Sequence, residues 1–69
     1  MNLTDYKVRG IVYPHGEYRL GTPAEIIDEN GFYRIDGTHI FDKHKILSIE
    51  KDGEKIEFKM KDKDVVLIL

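Results

Sequence analysis

The run His39-Ile40-Phe41-Asp42-Lys43-His44 holds two imidazoles and a carboxylate within six residues, a donor set that zinc and other transition metals accept. The spacing works against a site. On a strand, side chains alternate, so His39 points away from Asp42 and His44 and a turn is needed to gather them. His39, Asp42 and His44 are therefore only weak candidate ligands, and no resident metal or other cofactor is expected. His15, between Pro14 and Gly16, reads as the tip of a turn and adds little to the set.

A second constellation joins rings to guanidinium groups. Tyr13, Tyr18, Arg19, Tyr33 and Arg34 fall in the N-terminal half, and small β domains bind single-stranded nucleic acid by stacking bases on such rings beside arginines. The charge balance opposes this. Residues 5 to 36 carry six acids against four basic residues, and the seven lysines of residues 43 to 63 are matched by seven acids in residues 42 to 64. With a net charge of −2, a phosphate backbone finds no continuous basic track. Single-stranded RNA binding is thus the alternative reading.

Catalytic signatures are missing. There is no Gly-rich phosphate loop and no nucleophile elbow, and Ser48 is the single serine. A core this small also leaves little volume for a pocket that excludes water, so an enzyme is not expected.

The segment Val65-Val66-Leu67-Ile68-Leu69 is apolar without alternation. Whichever face of that strand packs inward, the other face is apolar too. If Val65, Leu67 and Leu69 face the core, Val66 and Ile68 join Ile46 in a stripe on the outer side, interrupted by Glu57 and Lys59. Such a stripe is covered either by the rest of the chain or by a protein partner. Ile46, Val66 and Ile68 are accordingly the expected interface, and the terminal strand could also add to the sheet edge of another protein.

The elements that position these residues are strands. Three apolar or alternating runs follow Lys45, separated by turns at Asp52-Gly53 and Lys61-Asp62-Lys63-Asp64, and predict a β-meander. A two-residue Asp52-Gly53 turn sets Glu50 against Lys55, Ile49 against Ile56 and Leu47 against Phe58. A loop of two or four residues at the second turn sets Met60 against Val65, Phe58 against Leu67 and Ile56 against Leu69. The expected core face is then Leu47, Ile49, Ile56, Phe58, Met60, Val65, Leu67 and Leu69. Earlier in the chain, a His15-Gly16 turn pairs Tyr13 with Tyr18 and Ile11 with Leu20, and Gly10 predicts a bulge or sharp bend.

Residues 22–29 admit two readings. Thr22-Pro23-Ala24-Glu25 is a capping-box pattern with Pro at the first helical position, which suits a short helix. The same stretch suits a strand, residues 24–28, turning through Glu29-Asn30-Gly31 into residues 32–35, and the β-branched residues favour it slightly. Asp36-Gly37-Thr38 predicts a further turn, residues 39–41 a short extended piece, and residues 42–44 a link into the meander.

The 69 residues make one small mainly β domain, a barrel or roll of five to seven short antiparallel strands with at most one short helix near residues 22–29. In size and strand rhythm it resembles the SH3-like and Sm-like small barrels, a resemblance of fold that carries over no functional residue. With no cysteine, no disulfide can supplement the core. The start Met1-Asn2-Leu3-Thr4-Asp5 has neither a basic nor an apolar run, and no stretch approaches a membrane span, so a cytoplasmic setting is expected. A composition 35 % charged, without Cys, Gln or Trp, is of a prokaryotic kind. The function expected is a non-enzymatic interaction module that self-associates or docks on a larger protein.

Overall fold

A computed structural model describes residues 2–69. Seven antiparallel strands form one sheet: β1 (Lys7–Tyr13), β2 (Gly16–Glu29), β3 (Phe32–Ile35), β4 (His39–Asp42), β5 (Ile46–Asp52), β6 (Lys55–Met60) and β7 (Asp64–Ile68). Their order is β4-β3-β2-β1-β7-β6-β5, which leaves β4 and β5 as free edges. Two single 3-10 turns, Leu3–Asp5 and Lys43–Lys45, precede β1 and β5. No helix among the described residues is long and apolar enough to cross a membrane.

The sheet is curled rather than closed. Phe41 of β4 meets Phe58 of β6 edge-on at 5.6 Å between ring centres, and Tyr33 of β3 lies 5.8 Å from the same ring. Strands from opposite ends of the sheet thus share one core, yet no ladder joins β4 to β5. Of the expected barrel or roll, the closed barrel is corrected to an open, folded-over sheet. Curling follows from β2, whose 14 residues pair first with β1 and then, from Ile26 onward, with β3. The bend lies where Arg9 alone faces the four residues Leu20 to Pro23, between the pairs Gly10–Arg19 and Val8–Ala24. Pro23 has no N–H to offer a ladder, so it suits this bulged stretch. The expected bulge or sharp bend lies beside Gly10, at Arg9, with its extra residues on β2 while Gly10 itself stays in register.

No helix forms at residues 22–29, which belong to β2. Ile26 is buried while Ile27 is exposed, an alternation of period two that a strand provides. Asn30 and Gly31, with φ of 53° and 82°, make the two-residue turn whose positive φ values the Asn-Gly pair tolerates. Backbone pairing with β3 then satisfies the groups a two-turn helix would have left open at both ends.

The β3–β4 hairpin turns at Asp36-Gly37-Thr38 as expected, with Ile35 facing His39, whereas each of the remaining three hairpins turns one residue away from the expected place. Tyr13 faces Gly16 around Pro14-His15, Asp52 faces Lys55 around Gly53-Glu54, and Phe58 faces Val65. The last loop is Lys61-Asp62, closed by the Met60 N–H donating to the Lys63 carbonyl at 2.9 Å. Moving a turn by one residue moves every cross-strand partner by two, so each side chain keeps its face. Ile56, Phe58, Met60, Val65 and Leu67 are buried, with Ile49 and Leu69 packed against them.

Leu47 breaks the pattern. The ladder between β5 and β6 slips between Ile46 and Ser48, leaving Leu47 as an unpaired bulge residue that is 66 % exposed. Ile46 instead packs against the core. A Leu47→Ser substitution is expected to change stability by no more than about 0.5 kcal/mol in a urea titration, the ordinary value for a surface position. A core residue in its place would have lost several times as much.

Candidate interaction surface

The outer face of the sheet is divided by the bend in β2. In the larger part, the pairs Val12–Val66 and Gly10–Ile68 place Val12, Val66 and Ile68 on adjoining strands, all half-buried. Glu17 and Arg19 flank them on β2, and Glu57 and Lys55 flank them on β6. Val66 and Ile68 thus share the outer face as expected, but Ile46 is separated from them by the β5 bulge. Strand β7 lies between β1 and β6, so both its edges are occupied and it cannot extend a second sheet.

The wing formed by the end of β2 with β3 and β4 carries a more exposed apolar surface. Its ladders pair Ile27 with Arg34 and Arg34 with Ile40, and in the next row Glu29 with Phe32 and Phe32 with Asp42. Alternation sends Tyr33, Ile35 and Phe41 inward and leaves these six side chains outward. Ile27, Phe32 and Ile40 are 41 %, 41 % and 56 % exposed, three of the five bare large apolar side chains among the described residues. Glu29, Asn30, Phe32, Arg34 and Ile40 line a shallow groove of about 370 Å³. The Arg34 guanidinium reaches Glu29 at 3.6 Å, both side chains being well exposed.

The two free edges differ. The β5 edge is guarded by the Leu47 bulge and by Glu50, Lys51 and Asp52, devices that discourage a further strand. The β4 edge has neither a bulge nor a run of charge, and its outward side chains are Ile40 and Asp42. The apolar face therefore adjoins the less protected edge.

The ring and arginine residues do not form one site. Tyr13 and Tyr18 gather with His15 and His39 at the β1–β2 end, Tyr13 stacking at 5.2 Å on His15 and 5.7 Å on His39. The Tyr13 hydroxyl shares a 2.8 Å hydrogen bond with His39 Nδ1, and His15 Nε2 lies 3.2 Å from the Tyr18 hydroxyl. Burial, with the neighbouring Tyr18 adding to it, pushes the Tyr13 phenol above its ordinary pKa. Arg19 faces outward beside Gly10, Arg34 lies on the wing, and Tyr33 faces inward under the Lys43 ammonium, 4.7 Å from its ring centre. Lys43 is ion-paired with Asp28, which raises the lysine pKa. No single strand tracks all five residues without crossing the molecule.

The imidazoles are also divided. Asp42 caps the Lys43–Lys45 turn by accepting the His44 backbone N–H at 2.9 Å, and its carboxylate touches His44 Nδ1 at 3.2 Å. The backbone donor comes first in holding Asp42 below the usual carboxylate range. His39, on the other face of β4, is engaged with Tyr13. Among the described residues no group of three potential ligands comes together in a metal-binding arrangement.

Comparison of the chain with models of protein families, with curated proteins and with solved structures finds no match.

Ile27, Phe32 and Ile40 were not singled out by sequence reasoning, although a signal exists. The pairs Ile26-Ile27, Phe32-Tyr33 and Ile40-Phe41 are adjacent large apolar residues, and in a strand one of each pair must face outward. The same rule picks out Val66 and Ile68. It applies to residue 27 only once residues 22–29 are assigned to a strand.

Proposed function

We propose that the chain is a non-enzymatic interaction module, an open roll of SH3-like kind, that binds protein through the outer face of its β2–β3–β4 wing in a prokaryotic cytoplasm. One observation carries the reading. Three large apolar side chains, Ile27, Phe32 and Ile40, lie exposed on the same face of the wing next to an unguarded strand edge. An exposed apolar patch of this kind, with Arg34 between Ile27 and Ile40 and with Glu29 and Asp42 on either side of Phe32, is a mark of protein contact sites. Scattered single apolar residues would carry no such meaning.

A photo-reactive benzoylphenylalanine at position 40, irradiated in the native cells, tests this. A discrete cross-linked product, of whatever partner mass, is the expected result. Absence of any product at native expression level overturns the proposal.

A further inference from the structure

The wing face is patterned to match itself. One row across it reads acid, aromatic, acid (Glu29, Phe32, Asp42), and the next reads aliphatic, cation, aliphatic (Ile27, Arg34, Ile40). Stack a second copy face to face on a two-fold axis lying in the interface, perpendicular to β3 and passing between Phe32 and Arg34. The first row of each copy then lies over the second row of the other. Each Arg34 falls on the ring of the second copy's Phe32, between its Glu29 and Asp42 carboxylates. That is a cation over an aromatic face with an acid on either side, repeated twice by symmetry. The alternative two-fold, along β3, sets Arg34 on Arg34 and Glu29 on Asp42, so the charges select one arrangement.

We infer that the wing face is an isologous dimer interface, its occupant a second copy of this chain, held by Arg34 seated on Phe32 between Glu29 and Asp42 of that copy. The inference rests on the functional reading above and narrows it to one partner. An isologous contact needs only a single surface that is complementary to itself, and the Arg34 seat meets that condition, with Ile27 and Ile40 lying at its margin over the second copy's Glu29 and Asp42. Arg34 now spans 3.6 Å to Glu29 of its own chain in an exposed setting, a loose pairing that leaves it available.

The contact is small. Three strands about 4.8 Å apart, with about 3.4 Å per residue along four residues, give a patch of roughly 14 by 14 Å. That is about 400 Å² counting both copies, well below the ~1,200 Å² of stable interfaces, so the contact is a transient one. Dissociation in the range of hundreds of micromolar, ~0.1–1 mM, follows, so the dimer is concentration-dependent.

Light scattering on a sizing column, from about 10 µM to about 1 mM, is the test. The wild-type mass is expected to rise from that of one chain, 8.1 kDa, towards twice that value. Arg34→Glu should stay at the single-chain mass throughout, because it sets three carboxylates together. Adding Glu29→Arg to it should restore association, since each new arginine then faces a new glutamate across the interface. Ile40→Lys is the second disrupting variant, and far-ultraviolet circular dichroism confirms that each variant is folded. A wild-type mass of 8.1 kDa at every concentration overturns the inference, as does association of folded Arg34→Glu equal to wild type. If the chain is monomeric yet position 40 cross-links to a different protein in cells, the dimer is wrong and the interaction module stands. Failure of both experiments removes both.

Discussion

Phe58→Ala is expected to leave the chain unfolded, or close to it, at 25 °C. Phe58 is fully buried and is where the two ends of the curled sheet meet. Phe41 contacts it edge-on at 5.6 Å, Tyr33 at 5.8 Å, and its ladder partners Ile49 and Val65 flank it within the sheet. Removing a buried phenylalanine ring costs about 3–5 kcal/mol, the lost transfer energy plus that of the cavity. A 69-residue chain has roughly 3–10 kcal/mol in all, at ~0.05–0.15 kcal/mol per residue. The substitution therefore removes a large share of the total, and no disulfide stands in reserve. Urea unfolding followed by circular dichroism measures the loss. A value below about 1 kcal/mol would mean that the wing does not fold over β6.

Gly10→Val is expected to destabilise the chain by about 1–3 kcal/mol, the ordinary penalty for forcing extra volume into a packed site. A Cβ at this position would lie 3.3 Å from the Tyr18 carbonyl oxygen and 3.7 Å from the Ile68 side chain. The oxygen belongs to the backbone of β2 and cannot swing aside, so β1 and β2 must part at the bulge. Valine is otherwise well suited to a strand, and at an open strand position the same change would stabilise. The sign of the effect in a urea titration is thus decisive: a gain in stability would show that the close approach at the bulge is absent. Gly10→Ala should fall between valine and wild type.

Much of this architecture is legible from residue order because strand faces are robust to small errors in the turns. Asp52-Gly53, His15-Gly16 and the Lys61–Asp64 loop each lie near their turns but mark them one residue off, and the faces of Ile56, Phe58 and Leu67 survive the shift. A bulge has no such tolerance. One extra residue between Ile46 and Ser48 exchanges the faces of Ile46 and Leu47, moving the first into the core and the second into solvent. Nothing in Lys45-Ile46-Leu47-Ser48 announces it, since no glycine or proline marks the spot.

The candidate site was less legible than the fold for a related reason. Thr22-Pro23-Ala24-Glu25 carries sound local signals for a helix start, and the strand wins because Ile26 and Ile35 complete the core through non-local pairing. Only with that strand in place does Ile27 turn outward beside Arg34 and Ile40. The tyrosines show the reverse case. Alike in type and both in the N-terminal half, Tyr13 and Tyr33 gather with different partners across the bend in β2, Tyr13 with Tyr18 and Tyr33 with Phe58, which local composition does not reveal.

The most direct test of the wing face compares photo-reactive benzoylphenylalanine at position 40 with the same residue at position 47. Ile40 and Leu47 are similarly bare, at 56 % and 66 %, but Leu47 sits on the guarded β5 edge and Ile40 on the outer face of the wing. Exposure alone would give cross-links from both. A discrete product from position 40 and none from position 47 is the expected result; product from position 47 alone, equal products from the two, or none from either would contradict the wing face as the binding surface.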